Sequence, residues 1–224
     1  MMRQSINKKI ILYALVLFIL STITNKKLLF TVFNLNEFDI IGLNKLETQK
    51  VYNDLKVFKN SNIFTLKKKE ILETIYSNNI IQEFYIHKKY PSTLNIEIQK
   101  TNFLGITKKN KIDYMIGENG NLIELTDTNL DLPYIFGNVD IDKFLRFKKI
   151  IDNSNLNFSS FKSLYYFKSN RWDLKLNNNI IIKLPKRINK ETLNEISIFL
   201  KHIKLENKKI VDARIKNQII ILDE

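Results

Sequence analysis

From Ile10 to Leu20 the chain is apolar without interruption, Ser21 to Thr24 continue the run, and no acidic residue precedes Glu37. With Arg3, Lys8 and Lys9 in front of it, this pattern predicts a membrane-seated helix whose N-terminus stays in the cytoplasm. Fifteen residues from Ile10 to Thr24 would span ~22 Å as a helix, against a hydrocarbon core of ~30 Å. A span therefore needs Tyr13 at the interface, Lys26 and Lys27 reaching outward, and the apolar Leu28, Leu29, Phe30, Val32 and Phe33 beyond them. A cleaved signal peptide is the competing reading. The triplets Ser21-Thr22-Ile23 and Thr24-Asn25-Lys26 match a small-x-small cleavage site poorly, which favours an uncleaved anchor. The expected order is a cytoplasmic N-terminus over 1–9, an anchor over 10–27 and a linker over 28–36.

Past the anchor the periodicity changes. Phe38 to Leu43 reads as a strand running into a turn at Gly42, and Lys45 to Phe58 carries Leu46, Val51, Leu55 and Phe58 at helical spacing. Asn60-Ser61-Asn62 breaks that helix. Lys67 to Asn78 then places Ile71, Leu72, Ile75 and Tyr76 on a second helical stripe. Ile80, Ile81, Phe84 and Ile86 climb a strand to Tyr90-Pro91, where proline cannot donate to a ladder and so marks a corner. Leu94, Ile96 and Ile98 then alternate with polar Asn95 and Glu97, the period of a half-buried strand. The predicted order is β-α-α-β-β, closing near residue 101.

Residues 102–224 mix both periods. Asp140 to Ile151 predicts a helix capped by Asp140, with Ile141, Phe144, Leu145 and Ile151 apolar. Asn189 to Lys204 predicts another, with Leu193, Ile196, Leu200 and Ile203 on one face, Glu191 in the first turn and Lys201, His202 and Lys204 in the last. Hairpins are expected around Gly117-Glu118-Asn119-Gly120 and Leu176-Asn177-Asn178-Asn179. Two helices in this stretch do not suit a transmembrane β-barrel. The fold class is therefore α+β: one N-terminal transmembrane helix, a β-α-α-β-β domain over 37–101, and a β-rich domain of mixed sheet with two flanking helices over 102–224.

Composition narrows the function. The chain has 224 residues, 44% of them hydrophobic, with 36 Lys+Arg against 23 Asp+Glu for a formal charge of +13. The basic residues are scattered along the chain among abundant Ile and Asn, so a nucleic-acid patch is not indicated. With no cysteine, disulfides and thiolate metal sites are excluded. His87 and His202 stand without Cys, His or carboxylate partners at metal-ligand spacing, and five glycines form no phosphate-binding fingerprint. No catalytic residue, cofactor or small-molecule substrate is predicted. Asp212 and Arg214 suggest a structural contact at a strand start, and Trp172 suits either a core position or a binding anchor.

Two sets of motifs carry a resemblance. Gly42, Leu46, Asn62-Ile63-Phe64, Ile71, Ile75, Tyr90-Pro91 and Thr93-Leu94 resemble the POTRA module of the FtsQ/DivIB family of bacterial division proteins. Arg171-Trp172-Asp173-Leu174-Lys175-Leu176 with Ile182-Lys183-Leu184-Pro185, and Val211-Asp212-Ala213-Arg214, together with Leu132-Pro133 and Gly137, are similar to that family's β-domain. Departures fall at Lys100, Phe103, Gly117 and Asn179. The resemblance implies a non-enzymatic bitopic scaffold of the bacterial inner membrane and division septum, its domains periplasmic. It would recruit FtsB/FtsL-type coiled-coil proteins and, through them, FtsW/FtsI. The expected route is strand addition at the C-terminal edge, Asn217, Gln218, Ile219, Ile220, Ile221 and Leu222, with Trp172 and Arg214 as further partner-binding residues. An interior strand is the other reading, because Ile219 to Leu222 is apolar on both faces. The alternative function is a POTRA-type transport or chaperone component receiving unfolded strands; a membrane-tethered binder of anionic wall polymer is a third.

Overall fold

A computed structural model describes residues 8–24, 33–125, 130–202, 210–215 and 218–222. The chain divides into two compact units, 1–100 and 101–224.

The first unit opens with α1 (Lys8–Thr24), whose described side chains, Ile10 to Leu20 among them, are exposed. Among the described residues no helix is long and apolar enough to cross a membrane. Next come β1 (Glu37–Ile41), α2 (Lys45–Leu55) continued by a 3-10 turn over Lys56–Phe58, α3 (Lys68–Tyr76), β2 (Ile81–Lys89) and β3 (Thr93–Lys100). The three strands form one sheet in the order β1-β3-β2, β3 running parallel to β1 and antiparallel to β2. This is the β-α-α-β-β order that the periodicity predicts.

Asn44 begins α2 by accepting from the Glu47 N–H at 2.9 Å, and Glu47 accepts in return from the Asn44 N–H at 3.2 Å; this capping box satisfies two orphan donors. Lys100, one of the departures from the family pattern, donates to the same Glu47 at 2.5 Å and so ties the last strand to the start of α2. Val51, Leu55, Ile63, Ile71, Ile75, Leu94 and Ile96 make the core. Three expected stripe residues lie outside it, one of them Leu72, which is half-buried on α3. Leu46 is 84% exposed in the first turn of α2, and Tyr76 ends α3 at the surface, where its ring meets the edge of Phe84. Gly42 adopts φ +97°, and a Cβ there would come within 1.8 Å of the Ile98 carbonyl, so the turn after β1 accepts only glycine.

The second unit is one mixed sheet with helices on one face. Its strands are β4 (Phe103–Lys109), β5 (Ile112–Gly117), β6 (Leu122–Glu124), β7 (Tyr134–Phe136), β8 (Phe161–Phe167), β9 (Arg171–Leu176), β10 (Ile181–Lys183), β11 (Ile210–Asp212) and β12 (Ile220–Leu222). Among the described residues they lie in the order β12-β11-β10-β9-β8-β7-β4-β5-β6. The β4/β7, β7/β8 and β10/β11 pairs are parallel, the others antiparallel. Both predicted hairpins form, as β5-β6 and β9-β10, and Asn179 turns the second with φ +69°, a conformation asparagine tolerates.

Helix α4 (Ile141–Asp152), with the Asp140 side chain accepting from the Asp142 N–H at 2.9 Å, and helix α5 (Lys190–His202) cover the inner face. Phe144, Phe147 and Ile151 of α4 and Leu193 and Ile196 of α5 pack on Ile135, Leu164, Trp172, Leu174, Ile182 and Val211 from the sheet.

Candidate functional site at the C-terminal sheet edge

The edge is assembled from the β9-β10 hairpin outward. β10 pairs with β9 through Ile182↔Leu174 and with β11 through Ile182↔Val211, so three apolar side chains in adjacent strands point at the helices. Helix α5 makes the crossover that two parallel strands require. At its start the Asn189 carboxamide oxygen accepts from the Thr192 N–H at 2.9 Å and from the Thr192 hydroxyl at 2.7 Å. β12 then returns antiparallel to β11, Asp212↔Ile220, Val211↔Ile221 and Ile210↔Leu222. It is the terminal strand, and no described strand lies on its outer side. Ile219, Ile220 and Ile221 are half-buried and Leu222 is 41% exposed; Ile219 touches the core, and Gln218 is exposed. Asn217 lies outside the described residues.

The opposite face of β9 to β11 carries charge. By register Lys183 stands between Asp173 on β9 and Asp212 on β11. Both carboxylates are 6% exposed. Arg214 closes on Asp212 with its Nε at 2.8 and 2.9 Å from the two carboxylate oxygens and its Nη2 at 2.5 Å, while its own N–H donates to the same carboxylate at 3.1 Å. This two-pronged hydrogen bond from Arg214 holds the Asp212 carboxyl below its ordinary range, and the carboxylate raises the Arg214 guanidinium. Asp173 moves the other way. Burial pushes its carboxyl up, against the opposing pull of Arg171, whose Nε lies 3.2 Å away. The contact expected between Asp212 and Arg214 at a strand start is present as a local clamp at a strand end instead, since Asp212 is the last residue of β11.

Beside the clamp a groove of about 880 Å³ runs between the start of α5 and the segment linking β11 to β12. Its floor includes Ile196, Ala213 and Ile219, and its rim sets Arg187 and Arg214 against Glu191 and Glu195. Arg214, Gln218 and Ile219, all expected at a partner surface, line it together. The sequence reading missed the contribution of α5. Its stripe of Leu193 and Ile196 pointed to a core face, and nothing in a single helix's pattern says what passes its flank.

Trp172 requires a correction. The expected binding anchor is 5% exposed, stacked on Phe147 with ring centroids 4.7 Å apart and packed against Phe144 and Tyr166. It alternates onto the helix-covered face of β9 and belongs to the core. His87 lies exposed on β2 and His202 exposed at the end of α5. Among the described residues no His, Cys, Asp or Glu group is arranged to hold a metal ion.

A β-α-α-β-β module followed by a mixed-sheet domain, with no described strand beyond its last one, defines a class of POTRA-bearing proteins. Residues 33–100 match the family model for the POTRA domain, FtsQ-type, and residues 105–214 match that for the cell division protein FtsQ/DivIB, C-terminal. The chain belongs to the FtsQ/DivIB family of cell division proteins. It is 27% identical over 198 residues to the cell division protein FtsQ of Rickettsia felis, covering 84% of this chain and 72% of that protein. Against the FtsQ of Rickettsia bellii the figures are 28% over 196 residues with the same coverage. The cell division protein DivIB of Clostridium botulinum is 30% identical over 122 residues, 54% of this chain and 46% of that one. A solved extracytoplasmic domain of DivIB from Geobacillus stearothermophilus overlaps 47% of this chain and 99% of its own at 14% identity and a TM-score of 0.34.

Proposed function

We propose that the chain is a non-enzymatic division scaffold, held in the inner membrane by α1, with both folded units in the periplasm at the septum. It recruits FtsB/FtsL-type coiled-coil proteins and links them to FtsW/FtsI by accepting a strand along β12. The open outer side of β12 carries this reading. An unpaired edge offers a row of backbone donors and acceptors to an incoming strand. The adjoining groove, apolar below and charged at its rim, supplies side-chain selectivity that a backbone ladder lacks.

The anchor reading draws support from α1. Its apolar side chains from Ile10 to Phe18 are exposed. At 17 residues it reaches ~25 Å, so it needs flanking residues or local bilayer thinning to span.

The test is Ile220→Pro in the full-length chain. Proline removes a ladder donor and stiffens the edge, so capture of an FtsB/FtsL-type pair by the purified protein should be lost while the first unit stays folded. Undiminished capture would defeat strand addition. Depletion in the host should leave smooth filaments with intact envelopes; normal division with secretion defects would favour the transport alternative.

A further inference from the structure

The two motifs Asn62-Ile63-Phe64 and Tyr90-Pro91 are only partly used by the core. Ile63 is fully buried, whereas Phe64 and Tyr90 are 57% and 55% exposed. Their rings stack on each other, centroids 4.9 Å apart and planes at 20°, and Phe33 meets Phe64 edge-on at 4.9 Å. The ring contacts stabilise the pair by themselves, and the apolar faces left open beside them form a patch that a further surface can cover.

That end of the unit is firmly built. The Ile63 N–H donates to the Phe33 carbonyl at 2.9 Å, the Leu35 N–H to Ser61 at 2.8 Å, and the Asn36 N–H to Ser92 at 2.9 Å, which joins segments 33–36, 59–67 and 88–93. Lys88 reaches beneath the loop and donates to the carbonyls of Ile63 at 2.5 Å and Leu66 at 3.2 Å, fixing the backbone on either side of Phe64. These three segments contain Lys59, Lys67, Lys88 and Lys89 and no Asp or Glu. Lys67 makes one long, exposed contact of 3.8 Å with Glu70, which is worth little in water.

The chain also arrives here from α1. Eight residues, 25–32, separate Thr24 from Phe33, and they add Lys26 and Lys27 and no carboxylate. Fully extended they reach only ~30 Å. Whatever surface holds α1 lies within that distance of Phe33.

We propose that this end of the POTRA module is a membrane-contact face. Phe64 and Tyr90 seat in the headgroup layer of an anionic bilayer, and Lys59, Lys67 and Lys89 meet lipid phosphates. Aromatic side chains with an apolar body favour that layer, and each lysine near an anionic surface strengthens partitioning by about fivefold. The proposal rests on α1 being the membrane anchor, and it goes beyond anchoring by fixing which face of the module points to the lipid.

The absence of cysteine makes the test direct. Single nitroxide labels are placed at Thr65→Cys beside Phe64, at Tyr85→Cys on mid-β2 and at Leu15→Cys in α1. The full chain is reconstituted in vesicles of mixed phosphatidylglycerol and phosphatidylcholine, and immersion is read from the relative accessibility to oxygen and to a water-soluble nickel complex. The label at 65 should read at headgroup depth, the label at 85 as aqueous and the label at 15 as deep. Phe64→Ser with Tyr90→Ser should return the label at 65 to the aqueous reading without moving the label at 15. Phosphatidylcholine alone should weaken the signal at 65. An aqueous reading at 65 alongside a deep reading at 15 would overturn the contact face and leave the anchor standing. Aqueous readings at all three positions would overturn both.

Discussion

Asp173 and Asp212 flank one lysine, are both little exposed, and titrate in opposite directions from the ordinary value of 3.8. At Asp173 burial prevails over Arg171, which reaches the carboxylate with one nitrogen, whereas at Asp212 the two-nitrogen grip of Arg214 prevails over burial. A carboxyl lowered on folding stabilises the fold above its unfolded value, and that contribution disappears as pH falls through the folded value. For a raised carboxyl the contribution is present in acid and disappears as pH rises. In urea unfolding, Asp212→Asn should therefore destabilise the chain at pH 7, the gap to the unmodified protein closing below about pH 4. Asp173→Asn should slope the other way, comparing better with the parent at pH 7 than at pH 3. Trp172→Ala tests the reassignment of that residue to the core. It should cost about 3–5 kcal/mol of unfolding free energy, far more than the loss of an exposed binding anchor would.

At the level of elements, what could be read depended on how local the cause was. Helices α2 to α5 and strands β1 to β3 announce themselves by stripes or alternation that each completes within its own residues. Strands β7 and β11 have three residues apiece, too few for a period, and β7 joins the sheet through parallel partners distant in sequence. β4 and β8 went unrecognised for another reason. Each holds consecutive buried positions where alternation would be sought, Gly105 to Thr107 in β4 and Ser163 with Leu164 in β8, and both are interrupted by a bulge. The edge position of β12 was expected from the family resemblance and not from its own residues, whose apolar faces fit an interior strand equally well. The groove beside it was invisible because it belongs to three elements. The consequence for β12 is testable at this level: Ile220→Pro acts on a strand that holds one side of a ladder, so far-ultraviolet circular dichroism should change little while partner capture is lost.

Across the whole molecule, the two units have separate cores with no residue in common. Ile96→Ala and Leu174→Ala each remove a fully buried side chain from one of them, at a cost of about 2–5 kcal/mol. Calorimetry should show each substitution lowering one transition and sparing the other; a single transition moved by both would mean that the units fold as one. The positive charge, which composition alone could not assign, acquires a distribution. Lys183 is absorbed between two buried carboxylates, while the end of the first unit that receives the chain from α1 carries lysines without acidic neighbours in its three joined segments.

The brevity of β12 bears on the company the free protein keeps. A long, flat apolar edge invites copies of the same chain to stack and precipitate. Three residues give a second copy too little ladder to hold. Under the proposed function, productive capture must then recruit contacts beyond the backbone, which a chance strand does not bring, so the shortness of this edge also guards against indiscriminate clumping.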